Sequence, residues 1–370
     1  MSVVARLALT DFRCYSAVDL ALPTGVTVVS GANGEGKTSL LEALSWAATT
    51  HSFRGVPDAA LVRSGAGAAF VRMTVQEPDR EQLMEAEIRA VGRNRVRLNR
   101  HPLARARDLL GLVRVTVFAP DDLQLVKGGP AARRAYLDDL LVAVAPRYDA
   151  VRAEFDRVLK HRNALLRQGL RGPDAESTLL VFDDQLVRAG SELVRGRLRL
   201  TSRLLPAVRD AYRGLAGASE EVDAGYEAEW AEGSVTPTAD DVEPLLRAAL
   251  VARRVAEVDR GVTLVGPHRD EWRVRLAGLD ARTHASQGEQ RTLALGLRLA
   301  GHKVCAEVIG TEPVLLLDDV FSELDPARAE ALVSELPAGQ TLITTASAVP
   351  DSVHPDRRLR VREGRVEEAA

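Results

Sequence analysis

Gly31-Ala32-Asn33-Gly34-Glu35-Gly36-Lys37-Thr38 fits the pattern G-x-x-x-x-G-K-[ST]. A short β-rich run, Gly25 to Ser30, precedes it. Leu40, Leu41 and Leu44 follow at helical spacing and predict a helix starting near Lys37. Strand, glycine loop and helix form the setting in which backbone N–H groups at a helix N-terminus meet phosphate. Lys37 is expected to reach the β- and γ-phosphates of a nucleotide, and the Thr38 hydroxyl to bind Mg²⁺. Gly31, Asn33, Gly34, Gly36 and Ser39 complete the expected phosphate contacts. A plain glycine-rich turn is the competing reading. Lysine is scarce here, with only Lys37, Lys127, Lys160 and Lys303 in the chain, so a chance match is rare.

Far along the chain, Val314-Leu315-Leu316-Leu317-Asp318-Asp319 is an aliphatic run ending in two carboxylates. Such a run predicts a strand buried on both faces. In open α/β sheets ligands bind at the C-terminal ends of the strands, so the carboxylates are expected beside the phosphate loop. Asp318 is the candidate Mg²⁺ ligand. Asp319 is the candidate catalytic residue, orienting or deprotonating the attacking water, with Lys37 on the phosphates. About 30 residues earlier, Ser286-Gln287-Gly288-Glu289-Gln290 opens a predicted helix. A hydroxyl and N–H groups at a helix start can bind an anion. Ser286 and Glu289 also have the spacing of an ordinary capping box, and one residue can do both. Ser322-Glu323-Leu324-Asp325 follows Asp319, and Asp325-Pro326 reads as the start of another helix.

The two ends of the chain alternate strand and helix signals, whereas helical spacing dominates from about Pro130 to Leu215. The expected fold is α/β: a P-loop ATPase domain built from both chain ends, with a mainly helical inserted second domain. The expected bounds are 1–125 with 250–370 for the ATPase domain and 126–249 for the insertion. The Gly-, Ala- and acid-rich stretch Gly214 to Thr238 is expected to contain a connection. No apolar run approaches the roughly 20 residues needed to cross a bilayer. The N-terminus lacks a signal-peptide layout. Cys14 and Cys305 form neither a metal-ligand spacing nor a disulfide framework, so a cytoplasmic protein without membrane association is expected.

The net charge of −3 does not advertise a nucleic-acid binder. Arg93, Arg95 and Arg97 alternate along a predicted strand and so share one face, with Arg100 beyond. They are the DNA-contact candidates, although charge on a solvated edge strand is an equally good account. His161, Arg162 and Arg167 in the helical region are weaker candidates.

These motifs resemble those of the ABC/SMC-like ATPases. Ser286 to Gln290 is similar to the signature of that class, and Ser322 to Asp325 to its D-loop. Further stretches resemble the RecF family: Asp11-Phe12-Arg13, His51-Ser52-Phe53-Arg54, Gly128-Gly129-Pro130 with Arg133-Arg134, and Leu264 to Asp270 containing G-P-H-R-D. The resemblance runs from residue 1 to about residue 350. It implies ATP and Mg²⁺ as cofactors, Arg13 among the ATP contacts, and Ser286, Gln287, Gly288 and Gln290 acting on the nucleotide of an opposite subunit. It also implies an ATP-dependent homodimer on double-stranded DNA near single-strand/double-strand junctions, working with RecR and RecO to load recombinase. Two features depart from the wider class. Gln340 to Ser347 lacks the switch histidine and offers Thr344 and Thr345, and the second acid is Asp319 where glutamate is usual. Slow turnover is the expectation. The Q-loop residue has no secure counterpart, with Gln124 a weak candidate. A protein scaffold gated by nucleotide, or a transporter motor subunit, are the rival readings.

Overall fold

The computed structural model describes residues 2–171, 173–217, 220–231 and 238–369. Strands β1 (Val3–Phe12), β2 (Tyr15–Ala21) and β3 (Val26–Ser30) lead into helix α1 (Lys37–Thr49). Strands β4 (Ala68–Gln76), β5 (Glu81–Arg89), β6 (Arg95–Leu98), β7 (His101–Pro102) and β8 (Val115–Phe118) follow. Helices α2 (Gln124–Lys127), α3 (Pro130–Val144), α4 (Arg147–Arg167) and α5 (Ala175–Ala216) come next, then β9 (Val222–Glu227) and α6 (Val242–Arg260). The chain continues through β10 (Glu271–Leu276), β11 (Leu279–Asp280), α7 (Ala281–His284), α8 (Gln287–Ile309) and β12 (Val314–Asp318). It ends with α9 (Pro326–Ser334), β13 (Thr341–Thr345), β14 (Arg357–Arg362) and β15 (Arg365–Glu368).

Two compact units result. The first comprises Met1–Asp122, Ala211–Gly217 and Leu295–Ala370; the second comprises Leu123–Asp210 and Ala218–Ala294. The first unit holds two six-stranded sheets. One is antiparallel, in the order β2-β1-β4-β5-β6-β7. The other runs β15-β14-β3-β13-β12-β8 and is parallel except for β15. Side chains alternate across a strand, so β12 serves two cores at once. Val314 and Leu316 join α1 and the antiparallel sheet, in a cluster with Leu7, Leu41, Trp46 and Met73. Leu315 and Leu317 join the opposite cluster, with Leu295, Leu299 and Leu332. Helix α1 lacks a polar face for the same reason: Leu40, Leu41, Leu44 and Trp46 are all buried.

The second unit contains a three-stranded sheet, β11-β10-β9, among helices α2 to α7. Its interior is held by arginines. Arg197 makes a bidentate pair with Asp138, 2.7 Å at both oxygens, and donates to the Pro267 carbonyl at 2.7 Å. Arg162, fully buried, contacts Asp183 at 2.7 Å, Glu257 at 2.6 Å and the Thr263 hydroxyl at 2.8 Å. Asp270 accepts from Tyr226 at 2.5 Å and Trp230 at 2.7 Å. Burial pushes its carboxyl up to about 6.

Three differences from the sequence reading have physical causes. The stretch expected to contain a connection also holds β9, which the reading did not include, a strand with no strong alternation of its own that pairs with β10. The expected boundary after residue 249 falls inside α6, and residues 250–294 group with the helical unit. The C-terminal β14–β15 hairpin lay outside the reading, yet β14 pairs in parallel with β3, the strand that feeds the phosphate loop.

Candidate nucleotide site

The phosphate loop joins β3 to α1, and its geometry is what the glycines permit. Gly36 caps α1 at φ 116°, and Gly34 sits at φ 85°. A side chain on Gly36 would come within 2.5 Å of Cys14 Sγ and 3.0 Å of the Tyr15 hydroxyl. Tyr15 itself donates to the Gly36 carbonyl at 3.0 Å, so the β1–β2 turn backs the loop. Lys37 is buried and folds over the loop, its Nζ donating to the carbonyls of Gly31 and Ala32 at 2.8 and 2.9 Å. Asn33 and Gly34 are exposed at the crest, whereas Ser39 is buried in the first turn of α1.

The two ends of the chain meet at Asp318. Strand β13 separates β3 from β12, so three parallel strands end side by side. The Thr38 hydroxyl donates to Asp318 Oδ1 at 2.8 Å, and the Thr344 hydroxyl donates to the same oxygen at 2.7 Å. Burial raises the Asp318 pKa, while the bonds from Thr344 and Thr38 oppose the rise, and neighbouring Asp319 adds to it. A hydroxyl and a carboxylate converging here are hard oxygen donors of the kind Mg²⁺ takes, with phosphates and waters completing its shell. Thr38 and Asp318 are therefore the residues that fit such an ion.

Asp319 follows in a left-handed conformation, φ 50°. A non-glycine residue there costs on the order of 1 kcal/mol, and the surroundings must impose it. They do: its N–H donates to the Thr344 carbonyl at 3.0 Å, and its Oδ1 accepts from the Ala346 N–H at 3.2 Å. The turn aims the Asp319 side chain toward the loop after β13. Ser322 donates to the Asp319 carbonyl at 2.8 Å. Asp325 caps α9, accepting from the Arg328 N–H at 3.0 Å and pairing with the Arg328 guanidinium at 2.6 Å.

Sequence reasoning left Thr344 without a role and missed Glu42. Arg13 donates Nε and Nη2 to the two Glu42 oxygens, each at 2.8 Å, and Nη1 to the Ala60 carbonyl at 2.8 Å. Glu42 is fully buried on α1 and also accepts from Ser52. Its signal was present as a lone acid inside the apolar run Leu40 to Ala48. In the structure the Arg13 guanidinium is thus spent on α1, pinning the turn that carries Tyr15 to the loop.

In the second unit, Ser286 and Glu289 form the reciprocal capping box. The Ser286 N–H donates to the Glu289 carboxylate at 2.6 Å, and the Glu289 N–H donates to Ser286 Oγ at 3.3 Å. Ser286 and Gln287 are exposed at the start of α8, with Gly288 half-buried beside them. Gln290 is buried, and its amide donates to the carbonyls of Ala281 and Arg282 at 3.2 and 3.1 Å. Gln124 opens α2.

The arginine candidates separate sharply. Arg95 lies 3.7 Å from Glu87, and Arg97 stands directly opposite Glu85 across β5 and β6. Arg93 lines an open pocket of about 550 Å³ with Arg89 and Arg105, and Arg100 sits in the β6–β7 turn. Arg162 is corrected as a DNA candidate, since its guanidinium is enclosed and fully paired. Arg133 and Arg134 are likewise structural. Arg133 grips Glu271 at 2.8 Å through both arms, and Arg134 donates to the Asp270 carbonyl at 2.8 Å. The two stretches around residues 128–134 and 264–270 therefore meet as a framework.

A glycine loop at the head of α1, an acid on the next strand but one, and a capped serine-glycine turn at the head of α8 define an ABC-type P-loop ATPase fold. Residues 3–349 match the model of the RecF/RecN/SMC N terminal domain family. The chain is 47% identical over 352 residues to the DNA replication and repair protein RecF of Frankia alni, covering 93% of each chain. It is 44% identical over 373 residues to that of Streptomyces avermitilis, covering 98% of this chain and 99% of the other. The solved structure of a recombination mediator protein RecF with ATP, in the RecFOR pathway, superposes with a TM-score of 0.92 at 28% identity, covering 100% of this chain and 98% of that one. The chain belongs to the RecF/RecN/SMC N-terminal domain family, and within it to the RecF proteins.

Proposed function

We propose that this chain is an ATP-gated DNA-binding protein of recombinational repair. The observation that carries the reading is the convergence of Thr38, Thr344 and Asp318 beside the phosphate loop. ATP binds there through Gly31, Asn33, Gly34, Gly36, Lys37, Thr38 and Ser39, with Arg13 positioning the loop through Glu42 and the Tyr15 turn. Thr38 and Asp318 would hold Mg²⁺, which when bound would supply charge neutralisation for the transferring phosphate. Asp319 orients the attacking water. Exposed Ser286 and Gln287, with Gly288, engage the γ-phosphate bound to a second copy, and Ser322 and Asp325 face that copy. ATP adds contacts that exist only in the closed homodimer, so it shifts the monomer–dimer equilibrium. The dimer clamps duplex DNA near single-strand/double-strand junctions in the cytoplasm. With RecR and RecO it promotes recombinase loading on gaps covered by single-strand-binding protein, and slow hydrolysis releases it. The naming of relatives as replication and repair proteins, and of one in the RecFOR pathway, supports this assignment.

Two substitutions probe the machinery. Asp319→Asn will leave ATP binding intact and slow hydrolysis about 100-fold or more, the range for a general base. Unchanged single-turnover hydrolysis moves the base elsewhere. Ser286→Arg will keep ATP affinity and abolish the ATP-driven dimer in sedimentation, because it fills an exposed anion site with a bulky cation. An intact dimer rules out the action in trans.

The pairing of Arg95 with Glu87 and the net charge of −3 favour a second reading, a nucleotide-gated scaffold that holds proteins without touching DNA. Binding of the full chain to labelled duplex DNA with ATP, ADP or no nucleotide at fixed salt separates the two. Tight binding with ATP alone supports the clamp. Equal binding in all three states removes the gating, and no binding in any state leaves the scaffold.

A further inference from the structure

The C-terminal hairpin presents alternate arginines on one exposed face. Along β14, Leu359 and Val361 are buried while Arg358, Arg360 and Arg362 are exposed. Arg362 pairs across the hairpin with Arg365, which puts both on the same outward face. Among the described residues, none of these four arginines makes an ion pair or a side-chain hydrogen bond. Arg357, on the inward face, is the one tied to Glu368. One carboxylate shares the outward face, Glu367 opposite Arg360, and no ion pair forms between them. Like charges directly opposite each other destabilise a sheet. Charge that only protects an edge strand can be mixed in sign, as it is on β5 and β6, where Arg95 meets Glu87. Here the repulsion is left standing.

The hairpin is also fastened to the nucleotide site. Its turn, Glu363-Gly364, has φ 50° and 70°, the two left-handed residues of a tight two-residue turn. The Glu363 N–H donates to the carboxylate of Glu35 in the phosphate loop. A side chain at Gly364 would come within 2.8 Å of the Cys14 carbonyl, and one at Gly31 within 2.5 Å of the Val361 carbonyl. The arginine face therefore begins where the phosphate loop ends.

From this we infer that Arg358, Arg360, Arg362 and Arg365 form a contact surface for the phosphate backbone of duplex DNA, separate from the β6 arginines. Alternate residues of a strand lie about 6.7 Å apart, and each DNA strand carries a phosphate about every 3.4 Å of axis, so successive outward arginines step past about two phosphates. Arginine suits this role through its bidentate fork. The inference rests on the DNA-binding reading above and adds where the backbone is held.

The test is the salt dependence of duplex binding by the full chain with ATP, followed by fluorescence anisotropy. Each lost phosphate contact lowers the slope of log affinity against log salt by about 0.9. The variant with Arg358, Arg360, Arg362 and Arg365 all changed to alanine is expected to lose about 2 to 4 in slope and at least tenfold in affinity, with ATP affinity unchanged. The all-lysine variant is expected to keep the slope. If the alanine variant loses ATP binding through misfolding, Arg358→Ala with Arg360→Ala, away from the turn, is read in its place with half the effect. Wild-type binding with an unchanged variant slope overturns the inference alone. Absence of duplex binding by the wild type overturns the DNA reading itself. Arginine-dependent binding of poly-glutamate as tight as that of DNA at equal salt assigns the face to an acidic protein and also overturns it.

Discussion

Replacing Lys37 with alanine will lower ATP affinity by about 100-fold or more, measured by titration of a fluorescent ATP analogue. The residue is buried at the head of α1, and its Nζ already lies among the loop carbonyls of Gly31 and Ala32, at 2.8 and 2.9 Å. A phosphate entering the loop meets this ammonium in a site shielded from water, where the charge pair is worth far more than at a surface. Removing one partner of such a pair costs about 2–5 kcal/mol, and each 1.4 kcal/mol is a factor of about ten. The fold will survive, because the two carbonyls accept hydrogen bonds from water once the side chain is gone and each bond contributes only about 1 kcal/mol. Normal affinity in a folded Lys37→Ala protein removes the phosphate-loop assignment and everything built on it. Duplex binding that persists without ATP in this variant separates the DNA surface from its nucleotide control.

Arg162→Ala will produce the largest loss of stability, about 3–5 kcal/mol, without touching the nucleotide site. The guanidinium is fully buried and bridges Asp183 and Glu257, while Thr263 takes a third arm. Alanine leaves Glu257, itself fully buried, facing Asp183 with no cation between them. Arg254 partly compensates at Asp183, and nothing replaces the bond to Glu257. An uncompensated buried charge is the costly case, unlike the removal of a whole pair. Urea denaturation followed by the fluorescence of Trp230 and Trp272, both in the helical unit, reads the change. A shift in midpoint corresponding to less than about 1 kcal/mol shows the network to be dispensable. ATP affinity should hold, since no member of the network lies in the unit that carries the phosphate loop.

Local motifs were legible because their physics is local. The phosphate loop needs glycines at fixed offsets before a helix, and Gly34 and Gly36 occupy the left-handed conformations those offsets imply. The capping box at Ser286 and Glu289 depends on a spacing of three residues, and both of its bonds are present. The aliphatic run ending in Asp318 marked a strand buried on both faces, and the residues of β12 divide between two cores as that requires. Strand β9 carried a weak pattern of its own and pairs with β10 far along the chain, whereas the alternation of β14 is local and only its parallel pairing with β3 depends on a distant neighbour.

Arginine was the residue type the sequence could least interpret. Arg133, Arg162 and Arg358 look alike as letters, yet the first is buried against Glu271 and three carbonyls, the second between Asp183 and Glu257, and the third is exposed with no side-chain partner among the described residues. A charge acquires its role from its partners, and those partners are distant: Arg162 and Glu257 are 95 residues apart. The sequence alone determined the class of protein, the phosphate loop, the acidic strand end and the helix starts, since each depends on spacing within one element. Only the tertiary structure decided that the Thr38 hydroxyl, 280 residues away, and the Thr344 hydroxyl share one Asp318 oxygen, and that Glu42 claims Arg13. Side-chain contacts of that kind are fixed by the packing of whole elements, and no periodicity in the chain encodes them.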